Sequence, residues 1–181
     1  MSKPSEIIVL VEGERDQGFV RKYLVRLGIE KRAIRLVALP AGTQSGEQYV
    51  REKYTEQVRA FRWRSTKATT WLIVATDADT RDVAFRARQL AQELIARDLA
   101  PRNDNEAIVH LIPKRNIETW ILCLSGEAVD EETDYSNDRR VSGRLPQASV
   151  MLFDWSRRNA TPSDWCIPSL HTAIPELRRL E

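Results

Sequence analysis

Ile7-Ile8-Val9-Leu10-Val11-Glu12-Gly13-Glu14-Arg15-Asp16 is the stretch that decides the fold. Five aliphatic residues without a polar interruption read as a strand buried on both faces. The run stops at Glu12-Gly13, and a helical pattern begins near Asp16. A second run, Trp71-Leu72-Ile73-Val74-Ala75-Thr76, stops at Asp77-Ala78-Asp79. Placed side by side in a parallel sheet, the two strands bring Glu12, Asp16, Asp77 and Asp79 to one edge. That edge reads as a site for a divalent metal.

Working outward, strands and helices alternate. A helix over about 16–28 carries Phe19, Tyr23, Leu24 and Leu27 on one stripe, and Gly28 is placed to end it. Ile34 to Leu39 reads as the second strand, with Pro40 closing it. The small-residue loop Ala41 to Gly46 leads to a helix over about 47–63. After the third strand, a helix over about 80–98 faces Val83, Ala87, Leu90 and Leu94 inward. Pro101 to Asn105 is a turn, Ala107 to Ile112 the fourth strand, and Ile117 to Leu124 a short helix. This order predicts an α/β, Rossmann-like fold: a mainly parallel four-stranded sheet flanked by helices. In such sheets functional groups gather at the carboxyl ends of the strands. Beyond Ser125 the alternation stops, which divides the chain into a main domain, 1–125, and a helical C-terminal extension, 126–181, packed on it. The acidic segment Glu127 to Asp138 reads as a surface loop, followed by helices near Ala148 to Trp155 and Leu170 to Leu180.

Composition narrows the class. The chain has 181 residues, 42% hydrophobic and 30% charged, with a formal net charge of +2. These are the proportions of a soluble globular domain. No apolar run approaches the ~18 residues of a membrane span, and the N-terminus lacks a signal-peptide layout. Cys123 and Cys166 lack metal-site spacing and read as reduced thiols in a cytoplasmic protein.

The acidic edge carries the chemistry. Magnesium and manganese take hard oxygen ligands, so clustered carboxylates suit them, and such a cluster repels itself until cations neutralise it. Each acid also has a plainer reading. Glu12 is an ordinary strand-end carboxylate, while Asp16 and Asp79 are helix caps. Glu118, in the first turn of a helix capped by Asn116, suits the macrodipole as well as it suits a metal.

Taken together, Val11-Glu12-Gly13-Glu14-Arg15-Asp16 and the strand followed by Asp77-Ala78-Asp79 resemble the Toprim domain. That domain is shared by topoisomerases, primases, ribosomal-RNA-maturing ribonucleases and nucleases of the overcoming-lysogenization-defect (OLD) type. The resemblance covers about residues 5 to 125. Glu12 and Asp16, four apart, together with Ile112-Pro113-Lys114-Arg115-Asn116-Ile117-Glu118, look like the OLD branch. The resemblance implies a Toprim fold and a Mg2+- or Mn2+-dependent endonuclease with a two-metal site. Its ligands would be Glu12, Asp16, Asp77, Asp79 and Glu118. Glu12 would act as general base or bridging ligand, and Lys114 or Arg115 would meet transition-state charge. It also implies a nucleic-acid partner and a role in bacterial anti-phage defence. No Gly-x-x-x-x-Gly-Lys-Ser/Thr loop is present, so by analogy an ATPase would be a separate chain. A ribonuclease for structured RNA and a non-cutting module that binds DNA or an ATPase remain the alternatives, and a homo-oligomer is left open.

The basic stretch Arg59 to Lys67 offers Arg62 and Arg64 to a phosphate backbone and Trp63 to a base. The plain alternative is a helix with Phe61 buried and its arginines solvated. Lys114 and Arg115 could equally be solvated after Pro113, Trp120 reads as core, and His110 reads as a strand residue facing the interior. The loop 42–46 could offer N–H groups to phosphate. No Ser-His-Asp or Cys-His arrangement points to covalent catalysis.

Overall fold

The computed structural model describes residues 3–37 and 45–180. Its centre is a sheet of β1 (Glu6–Val11), β2 (Ile34–Val37), β3 (Thr70–Ala75) and β4 (Ile108–Leu111). The strands run in the order β2-β1-β3-β4, and every pairing is parallel. β1 and β3 are the central strands, which is why they are the two uninterrupted apolar runs. Of the second strand expected over 34–39, residues 34–37 are described and form β2, and Ala38 lies outside the described residues. Leu39, Pro40 and the loop residues as far as Gln44 lie outside the described residues.

Among the described residues six α-helices flank the sheet: α1 (Glu14–Arg26), α2 (Gly46–Ser65), α3 (Val83–Ile95), α4 (Ile117–Leu124), α5 (Leu145–Ser156) and α6 (Pro168–Leu177). Side chains alternate across a strand, so each strand feeds two cores. Ile7, Val9, Val11, Ile73 and Val109 pack with α1, α4, α5 and α6 on one face. Ile8, Leu10, Leu72, Val74 and Ile108 pack with Val50, Tyr54 and Val58 of α2 and Leu90 and Leu94 of α3 on the other. The C-terminal helices therefore share the first core. No helix among the described residues is long and apolar enough to cross a membrane.

Helix ends follow local chemistry. Gly28 takes a left-handed conformation (φ 78°) just beyond α1, and Ile29 N–H reaches Leu24 O at 3.0 Å, as a glycine stop should. The helix expected from Thr80 starts later, because Asp82 accepts from Phe85 N and caps α3. It also ends earlier. Asp98 occupies the left-handed position (φ 56°) that glycine usually fills, and Leu99 N–H bonds Leu94 O at 2.9 Å. Pro175 sits inside α6 without ending it.

β4 is an edge strand, and its exposed side is covered. Glu176 of α6 accepts from the His110 backbone N–H at 3.0 Å and pairs with Arg102. On the side of β4 that faces α2, His110 Nε2 meets Tyr54 Oη at 2.9 Å, so this histidine is a core residue.

Candidate metal centre

β1 leads to β2 on one side and the chain later returns to β3 on the other, so strand order reverses between β1 and β3. The carboxyl ends of such a pair form the crevice where α/β sheets place their ligands. The register pairs Val11 with Ala75, which leaves Glu12 and Thr76 level as the strands end. A Glu12 oxygen accepts from Asp77 N at 2.9 Å and from the Thr76 hydroxyl. Residues from two distant parts of the chain thus meet in one hydrogen-bonded unit.

β4 extends the same edge. Thr76 N donates to Leu111 O at 3.1 Å and Ala78 N to Pro113 O at 2.8 Å. The Asp77-Ala78-Asp79 segment is therefore tied to the segment that presents Lys114. α1 begins at Glu14 with Gly13 at its N-cap position, so Asp16 is a buried first-turn residue and not the cap.

Burial and mutual repulsion dominate the electrostatics. Asp77 is pushed up to about 10, first by burial and then by the charges of Asp16, Glu12, Asp79 and Glu118. Asp16 is pushed up to about 7, again by burial first, then by Glu12 and Glu118. Glu12 is raised by burial, with the Thr76 and Asp77 hydrogen bonds opposing the rise. Oδ1 of Asp16 and Oδ1 of Asp77 are both buried without a hydrogen-bond partner. Buried carboxylate oxygens without donors are costly.

The remaining acids flank this centre. Asp79 takes the left-handed conformation (φ 56°) and its side chain is 57% exposed, with Arg86 Nη2 3.5 Å away. It caps no helix. Glu118 is buried in the first turn of α4 beneath an Asn116 cap and pairs with Arg15, so the first-turn reading is realised while its charge still reaches Asp16 and Asp77. Among the described residues no three His, Cys, Asp or Glu side chains stand as a ready ligand set for a metal. The reason is local: Glu12 is turned to Thr76 and Asp77 N, and Glu118 to Arg15. The donor set nonetheless suits Mg2+ or Mn2+. It is all hard oxygen, and the two partnerless carboxylate oxygens lack the positive partner that such a cation supplies.

Lys114 is half-buried, and its ammonium lies 3.5 Å from Glu132, a side chain 82% exposed. So exposed a partner holds it weakly. Arg115 is half-buried beside it. Arg62 and Arg64 stand elsewhere. α2 starts at the acidic edge with Gly46, and its 20 residues span about 30 Å. In its last turns Arg62 holds Glu106 (2.6 and 3.1 Å) and the Pro101 carbonyl, and Arg64 holds Glu6 at 2.9 Å, where β1 begins. Both arginines tie α2 to the opposite end of the sheet. Phe61 is buried there, and Trp63 is exposed under Lys67, whose Nζ is 3.8 Å from the ring centroid.

Sequence reading missed three contributors. Arg86 is buried; its Nε donates to the Asp77 carbonyl at 2.9 Å, and its Nη1 pairs with Glu47 and donates to Gln89 at 2.6 Å. Its signal was an arginine four residues before Leu90 on an inward stripe. Gly46 presses on Glu12: a Cβ there would stand 2.7 Å from Glu12 Cβ and 2.8 Å from Glu12 O. Nothing in the local sequence separates it from any loop glycine. Arg15, bound to Glu118 and to Ser136 O at 2.8 Å, likewise had no signal. The phosphate-cradle reading of 42–46 falls largely outside the described residues. Within them, Ser45 caps α2 through Gln48 N at 3.3 Å.

Compared with protein-family models, curated proteins and solved structures, the chain matches none.

Proposed function

We propose that this chain is a metal-dependent phosphodiesterase of the Toprim type that cuts nucleic acid. The observation that carries the reading is the pair of buried, partnerless oxygens on Asp16 and Asp77 beside Glu12, at the switch point of the sheet. Acids so placed destabilise the chain unless a cation uses them.

Asp16 and Asp77 would hold Mg2+ or Mn2+ with Glu12, and Asp79 and Glu118 complete the acidic rim. A bound divalent ion supplies Lewis-acid polarisation of the phosphodiester and a more acidic water. Glu12 is fixed by Thr76 and the Asp77 N–H, and its raised pKa brings it closer to neutrality, where a general base works best. Lys114, on the segment tied to Ala78, would meet negative charge growing on the phosphate oxygens. Arg86 positions the Asp77 backbone through its carbonyl and sets a fixed cation beside Asp79. Cys123 and Cys166 are both free thiols, in keeping with a reducing compartment such as the cytoplasm.

The test is cleavage of supercoiled plasmid, single-stranded DNA and transfer RNA in Mn2+, Mg2+ and chelator. Cutting should require metal, and Glu12→Gln should slow it by about 10²–10⁴-fold. Equal cutting by Glu12→Gln, or none by the native chain on any substrate with either metal, overturns the reading.

A further inference from the structure

α1 and α5 enclose a groove of about 720 Å3 whose lining includes Arg21, Lys22, Arg26 and Lys31 and, among the described residues, no acid. The four cations are exposed, and among the described residues none is paired with a carboxylate. What distinguishes them is that all four line one groove. Arg62, Arg64, Arg86, Arg102, Arg140, Arg144 and Arg179 all hold acids. Val25, Pro146 and Val150 form the apolar part of the lining. Arg26 and Arg157 both stand over the Phe153 ring, 5.8 and 5.9 Å from its centroid, so a fifth cation borders the groove.

The groove also leads somewhere. At Gly18, a Cβ would stand 3.8 Å from Leu145 Cδ1, so α1 and the start of α5 lie side by side there. Leu145 then lines a second hollow of about 370 Å3 together with Arg15. Arg15 is the residue bound to Glu118 at the acidic rim. Acidic edge, second hollow and basic groove follow one another along α1, from its N-terminus to its C-terminal turns.

We propose that this α1–α5 groove is the track for the sugar-phosphate backbone of the nucleic acid, delivering it to the acidic edge. The identity of the occupant rests on the nuclease reading above; the position of the track rests on the unpaired charges. Gly18 to Arg26 covers about 12 Å of helix, which matches three to four phosphates at about 3.4 Å each along one strand. The ~30 Å helix α2 carries Arg62 and Arg64 away from the edge, whereas α1 starts at it.

The test is fluorescence anisotropy with labelled single-stranded DNA, duplex DNA and RNA of one sequence, in chelator, across a salt series. The full chain is compared with Arg21→Ala/Arg26→Ala and with Arg88→Ala/Arg97→Ala, which removes the same charge from exposed positions of α3 and the turn after it. Melting curves check that all three fold. The groove variant should lose about tenfold or more in affinity, and its log–log salt slope should fall by about 1.5–2 on duplex. The control should bind like the native chain. Equal weakening of both variants, no weakening of either, or no binding of any oligonucleotide overturns the proposal. So does retention on phosphatidylserine vesicles in place of oligonucleotide. Cleavage without a groove effect would refute the track and leave the nuclease standing. Groove-dependent binding without metal-dependent cleavage would do the reverse.

Discussion

Replacing Asp77 with asparagine should make the metal-free protein more stable while removing its response to metal. An acid whose folded pKa lies above its unfolded value contributes fully below the unfolded value. That stability is then lost as pH rises toward the folded one. Asp77 moves from 3.8 to about 10, so at pH 7 the folded chain must keep a proton that the unfolded chain has given up. The gap from 3.8 to pH 7 is about three pH units, at about 1.4 kcal/mol each, or roughly 4 kcal/mol at most. Part of that is repulsion shared with Asp16, so the expected gain for Asp77→Asn is about 2–4 kcal/mol. For a chain of this size, that is a rise in melting temperature of about 5–10 °C. In manganese most of that difference should disappear. The native chain should gain about 2.7 kcal/mol at a hundredfold excess over its Kd, while Asp77→Asn gains nothing. Near pH 4 in chelator the two should melt within about 1 kcal/mol of each other, because an acid that titrates at 3.8 in the unfolded chain has barely begun to lose its proton there. Melting curves in chelator and in manganese, at pH 4 and pH 7, contain the whole test. An asparagine variant no more stable than the native chain at pH 7, or one still stabilised by manganese, refutes the reasoning.

Gly46→Ala should cut activity by about tenfold or more with secondary structure intact, because the new Cβ meets the backbone and Cβ of Glu12. Cleavage rates beside circular dichroism check it, and native-like activity would show that Glu12 tolerates the shift. Arg86→Leu leaves Glu47 and the Asp77 carbonyl without their buried cation. Denaturant melts should show a loss of about 3–5 kcal/mol. His110 is held well below its usual range by burial and then by Arg102 and Arg179. A histidine with a lowered folded pKa loses stability as pH falls, since the unfolded chain takes up the proton. Stability should therefore fall below about pH 6.5, with a contribution of up to about 1.4 kcal/mol per pH unit, and His110→Gln should flatten that slope in urea titrations.

The sheet was legible because central parallel strands are buried on both faces and so cannot alternate polar and apolar residues. Ile7 to Val11 and Trp71 to Ala75 show this directly, and the helix–strand order supplied the topology. Helix ends were read less well where an acid did the work of another group, as Asp82 and Asp98 do around α3.

What the linear chain determined by itself was the α/β layout and the arrival of Glu12 and Asp77 at the ends of two buried strands. Both follow from local periodicity and from where each apolar run stops. What the folded chain alone decided was which charges are spent and which are free. Arg62 and Arg64 are consumed by Glu106 and Glu6, Arg86 is drawn inside, and Arg21, Lys22, Arg26 and Lys31 are left facing a groove. The physical reason is that a side chain's charge acts over a few ångströms of space, and neighbours at that range come from distant parts of the sequence.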